Sequence, residues 1–118
     1  MFAEVKDMLP ISGDDYDAQI ITQIKACEKD LTTSAEIVLP GEISITRTQS
    51  VITGEWIVVD NSTLTDELII TAIATWCTMR IGNPPNYDNL LKAYESLKGQ
   101  LRLSESYTHY EPEEADEA

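Results

Sequence analysis

The chain of 118 residues is the size of one domain, and at this length roughly 60 to 70% of the unfolded surface is buried on folding, so one modest core is available. Its 21 acidic against 8 basic residues give a formal net charge of -13, and removing the five acids of the terminal "EPEEADEA" still leaves 16 against 8. Affinity for nucleic acid comes largely from Lys and Arg on phosphates, so a DNA or RNA gripper and a protein adhering to anionic membrane both fit poorly. A protein that sits beside DNA without holding it fits well.

The opening "MFAEVKDMLP" lacks the basic start and apolar run of a signal peptide, and no stretch approaches the roughly 18 apolar residues of a membrane span, so a cytoplasmic origin is expected. Within it Phe2, Val5 and Leu9 fall on one side of a short helix ended by Pro10. In "SGDDYD" Ser12 or Asp14 offers an N-cap for a second helix, with Asp15 and Asp17 suiting the dipole of its first turn. That helix runs to about Thr33, and Tyr16, Ile20, Ile24, Cys27 and Leu31 step by four, four, three and four, the mark of one buried face. The nearby aspartates lack the Gly and terminal Glu of an EF-hand loop, so no calcium site is expected.

Residues 36 to 61 change character. In "ISITRT" Ile43 and Ile45 alternate with Ser44 and Thr46, "EWIVVD" is β-branched and aromatic, and "QSVITG" between them supplies a turn closed by Gly54. The reading is a β-hairpin at about 43–60, inserted between the second and third helices. A two-stranded hairpin is marginal alone and residues 56–59 are apolar on both faces, so packing on the helices or on a neighbouring chain is expected, with Trp56 and Val58 as candidate subunit-interface residues.

Thr63 then reads as the N-cap of a third helix, with Asp66 and Glu67 in its first turn. Residues 68 to 79, "LIITAIATWCTM", carry no charge, and the apolar positions occupy the whole circumference, so this helix must be covered on all sides. Two further helices and a hairpin will struggle to enclose it. One side, with Trp76 or Met79, is expected to meet another subunit, against the alternative of complete burial within the chain. Gly82 suits the left-handed position after a helix, Pro84 and Pro85 push Asn83 and Pro84 out of the helical region, and Asn86 can cap the next helix, so residues 82–86 form a stiff corner. Tyr87, Leu90, Leu91, Tyr94, Leu97 and Leu101 then mark the apolar face of this last helix. The fold class is mainly α: a small helical bundle, one short N-terminal helix plus three longer ones, with the inserted hairpin. Residues 1–103 form the domain and 104–118 a flexible acidic tail.

Chemistry is sparse. Cys27 and Cys77 sit at apolar helical positions and read as reduced core thiols. His109, the only histidine, lies between Tyr107 and Tyr110 in the tail with no second His or Cys nearby. No GxSxG, P-loop, GxGxxG, HExxH or zinc spacing occurs, so no catalytic residue, metal or cofactor is expected and the protein reads as no enzyme.

The order "VKDMLPISGDDYDAQIITQIKACEKDL" followed by "DELIITAIATWCTMRIGNPPNYDNLLKAYESLKGQL" resembles the small head-tail connector (adaptor) proteins of long-tailed bacteriophages, also called DNA-packaging connectors. It spans roughly residues 4 to 103; the hairpin and the tail are variable ground in that family. The resemblance implies a non-enzymatic subunit that forms a ring, a dodecamer in the virion, below the portal. Such a ring joins the capsid to a stopper or tail-completion protein, and DNA passes through it without specific binding. The implied location is the head-tail junction, after synthesis in the host bacterial cytoplasm. A ring needs a fixed helix angle so that errors do not accumulate around the circle, which gives the 82–86 corner an assembly role. Tyr107 and Tyr110 are the candidate portal-docking anchors of the tail. The alternative is a small acidic regulatory protein, an antitoxin or DNA mimic, supported by charge alone.

Overall fold

The computed structural model describes residues 1–11, 13, 15–81 and 84–103. Among these the chain forms α1 (Phe2–Asp7), α2 (Asp17–Lys29), a π-helical turn (Asp30–Ser34), β1 (Ile45–Gln49), β2 (Trp56–Asp60), α3 (Glu67–Arg80) and α4 (Tyr87–Leu103). The expected order holds: four helices, with an antiparallel two-stranded hairpin between the second and the third. The expected tail lies outside the described residues.

α3 is the centre, with α1, α2 and α4 packed on it. The four-residue steps of α2 place Ile20, Ile24, Cys27 and Leu31 at zero exposure, while Tyr16 is half-buried. On α3, Ile69, Ile70, Ala72, Ile73, Ala74, Trp76, Cys77 and Met79 are all buried, as an uncharged circumference requires. Trp76 and Met79 are 9% and 4% exposed in the single chain, so the chain itself covers both, as the alternative of burial within the chain expects. Enclosure by three helices suffices because α1, short as it is, adds Phe2, Val5 and Leu9 to the same core.

Two caps differ from expectation. α2 starts at Asp17 with Tyr16 in the cap position and no side-chain cap, while Ser12 and Asp14 lie outside the described residues. Asp17 itself is buried, its Oδ1 2.8 Å from Lys6 Nζ, so this first-turn acid ties α2 to α1 and does not face water. α3 is capped by Asp66, whose Oδ1 accepts the Ile69 N–H at 3.0 Å, and not by Thr63. The Thr63 hydroxyl is taken up by the Glu42 N–H at 2.9 Å.

The end of α2 widens into the π-turn where Thr32 and Thr33 donate their hydroxyls back to the carbonyls of Glu28 and Lys29, a bonding that loosens helices. Glu36, at φ 56, then reverses the chain in the left-handed region that Gly usually fills. The Ile37 N–H closes on the Leu31 carbonyl at 2.9 Å, a loop one residue wider than a Schellman cap because the turn is π-helical, and the two buried side chains share the core.

Candidate functional site

Two regions hold the polar and the uncovered groups. The first is a buried cluster linking α2, the π-turn, α3 and α4. Tyr94, 1% exposed, donates its hydroxyl to Asp30 Oδ2 at 2.6 Å and sits 3.7 Å from Cys27 Sγ. Lys98 reaches the same carboxylate at 3.2 Å, and Trp76 meets the Tyr94 ring edge-on at 5.2 Å between centroids while donating its indole N–H to Gln23. Arg80 stacks over Trp76, 4.1 Å from the ring centroid. Burial pushes the Cys27 and Cys77 thiols up to about 12. Burial, with Cys27 and Asp30 beside it, raises Tyr94 further from its ordinary value. Groups held this firmly neutral are not nucleophiles at pH 7. Their geometry fastens three helices together, as the reduced-thiol reading expects.

The second region is the hairpin. Its register pairs Ile45 with Asp60, Thr46 with Val59, Arg47 with Val58, Thr48 with Ile57 and Gln49 with Trp56. Gly54, at φ 78, donates to the Ser50 carbonyl and Ser50 donates to the Glu55 carbonyl, which closes the turn at the expected glycine. Ile45 alone of its side chains is buried in the core. At the base, Gly41 lies so close to the Leu64 backbone that an added Cβ would come within 2.7 Å of the Leu64 Cα, which clamps the stem to the start of the α3 segment. Asp60, at the end of β2, accepts the Phe2 N–H at 2.7 Å and pairs with the Met1 amine at 2.9 Å. Burial works to raise the Asp60 carboxyl, but bonds from Ser62, the Phe2 N–H and the amine outweigh it and hold the group well below the usual range.

The rest of the hairpin is uncovered. Trp56 and Ile57 are half exposed, Val59 is 38% exposed, and the tip residues Val51 and Ile52 are 99% and 91% exposed; Val58 is half-buried. The far face, Thr46 and Thr48 opposite Val59 and Ile57, is β-branched and uncharged, and every one of its residues is exposed. The near face overhangs α2, leaving an open groove of about 410 Å³ lined by Ala18, Ile21, Lys25, Ile45, Arg47 and Trp56. The Arg47 guanidinium lies 4.3 Å from the Trp56 ring centroid. Sequence reading missed this groove, although Arg47 carried a signal: it is the only basic residue between Lys29 and Arg80.

The other expected site residues scatter. Gly82, Asn83, Tyr107, His109 and Tyr110 lie outside the described residues. At the corner, Pro84 is half-buried, Pro85 and Asn86 are exposed, and the Asn86 carbonyl accepts the Leu90 N–H at 3.1 Å to start α4. Among the described residues no group of His, Cys, Asp and Glu could hold a metal, and no helix is long and apolar enough to cross a membrane. Comparison with protein-family models, with curated proteins and with solved structures found no match.

Proposed function

We propose that the protein is a non-enzymatic assembly subunit, a head-tail connector of a long-tailed bacteriophage that forms a ring below the portal and joins the capsid to a stopper or tail-completion protein. The observation that carries the reading is the hairpin. It displays an uncharged β-branched face and an apolar tip that the chain's own described residues leave bare. Contiguous apolar surface beyond what a monomer ordinarily exposes marks interaction sites. The molecule measures 58 × 36 × 19 Å with a radius of gyration of 16.0 Å, against about 13 Å for a compact domain of some 100 residues, an elongated form suited to contact with neighbours. The acidic remainder suits a channel through which DNA slides unheld. The order of helices and the Pro84-Pro85 corner are the features shared with the connector proteins it resembles.

The test is the mass in solution of the purified protein with and without a purified phage portal protein, together with the variant Val58→Lys. Connector function predicts a ring-sized species bearing portal, lost when a charge is placed on β2. A chain that ignores the portal overturns the reading; a Val58→Lys variant that joins it unimpaired shows that β2 is an exposed edge outside the assembly contact. Capture instead of a DNA-binding protein or a toxin in a one-to-one complex would favour the regulatory alternative.

A further inference from the structure

The hairpin has two edges, and they are not equivalent. The Ser50 N–H to Glu55 carbonyl bond and the Asn61 N–H to Ser44 carbonyl bond, both 2.8 Å, fix the phase of the ladder. With the register above, Thr46, Thr48, Ile57 and Val59 turn their main-chain groups inward to the partner strand. Ile45, Arg47 and Gln49 on β1, and Trp56, Val58 and Asp60 on β2, therefore point their N–H and C=O groups outward. The β1 edge is blunted by α2, which packs against that strand. The β2 edge, "WIVVD", carries no Lys, Arg or Pro.

We propose that the free protein is a two-fold dimer in which β2 of one copy pairs antiparallel with β2 of a second, making a four-stranded sheet in the order β1-β2-β2-β1. The strand is self-complementary about Val58. With the axis there, Val58 exchanges both main-chain bonds with its own counterpart, and Trp56 faces Asp60 of the second copy. On the opposite face Ile57 faces Val59 of the second copy, and the reverse, so four exposed aliphatic side chains meet in one cluster. Charge favours this occupant over others. Residues 43–59 hold one base, Arg47, and one acid, Glu55, so the segment is neutral within a chain of net charge -13. The two Asp60 carboxylates fall about 13 Å apart along the strands, and each instead faces a Trp56 whose ring carries the Arg47 guanidinium. A two-fold contact uses the same patch on both copies and so closes at two.

The dimer does not rest on the connector reading: it concerns the protein alone, without portal. Its measurement is the mass by light scattering of the full chain at about 100 µM, expected at twice the 13.2 kDa of one copy. Val58→Pro removes only an outward N–H, so it should leave the hairpin and the helical circular dichroism intact while weakening dimerisation about tenfold or more. A second measurement does not depend on that variant folding. Cys27 and Cys77 are buried, so surface cysteines report alone. Mixing Ile57→Cys with Val59→Cys protein should give a cross-linked heterodimer under mild oxidation, with neither variant cross-linking to itself. A monomer at that concentration, a folded Val58→Pro variant that dimerises like the parent, or self-cross-linking of either cysteine variant would each overturn the pairing.

Discussion

The helical body and the hairpin come from the same chain and obey opposite rules. In the body, the apolar side chains around α3 are enclosed to the last few per cent, and the polar groups among them, Tyr94, Asp30, Lys98 and Trp76, all find partners; the outer side of α4 still leaves Tyr87, Leu91 and Leu103 exposed. In the hairpin, aliphatic and aromatic side chains stay in water and three of the five β2 residues turn their main-chain bonding groups outward. A 14-residue helix without internal charge can be satisfied by its own chain because three helices surround it. Two strands cannot cover each other's faces, since each occupies only an edge of the other. The lesson is that an apolar run by itself does not mark an interface: α3 holds the longer uncharged run and is closed, whereas β2 is open.

Three measurements break or sharpen that contrast. The largest effect belongs to the body. Ile24→Ala, at a position with no exposure, should cost about 2–5 kcal/mol in denaturant unfolding. Ile52→Ala at the bare tip should stay within about 0.5 kcal/mol for the monomer. Equal losses at the two sites would mean that the tip is covered in solution.

Alkaline pH should come next. Unfolded thiols ionise near 9.0, while the native Cys27 and Cys77 hold their protons up to about 12 because burial disfavours the thiolate. Their native pKa values are raised, so their contribution is complete below pH 9 and is lost between 9 and 12. Urea midpoints should therefore fall steadily over that window. Replacing both cysteines by Ala should flatten the fall at some cost in packing, and no flattening would place the pH sensitivity elsewhere, with Tyr94 the next group to test.

The smallest expected effect sits at the junction between the two regions. Glu36 occupies a left-handed conformation that costs an L-residue about 1–2 kcal/mol, part of which Gly recovers after its own entropy loss. Glu36→Gly should stabilise the protein by about 0.5–1 kcal/mol without altering the hairpin's contacts. A loss of stability would show that the Glu36 side chain holds the junction.

Local chemistry in the sequence determined a good deal. The steps of Ile20, Ile24, Cys27 and Leu31, the uncharged run on α3 and the alternation around Gly54 named the elements and their order, because helix and strand periodicities are properties of neighbouring residues. Other features belong to the assembled chain. Thr63 looked like a cap, yet its hydroxyl binds the Glu42 N–H, and Asp66 takes the helix. Trp76 and Met79 looked surplus, yet α1 and α4 close over α3. Asp17 read as a first-turn acid suited to the helix dipole, yet it is also buried against Lys6. The groove under Arg47 exists only once α2 and the hairpin, some thirty positions apart, are brought together. Sequence periodicity says which face of an element is apolar; only packing says whether the chain has enough elements to cover it.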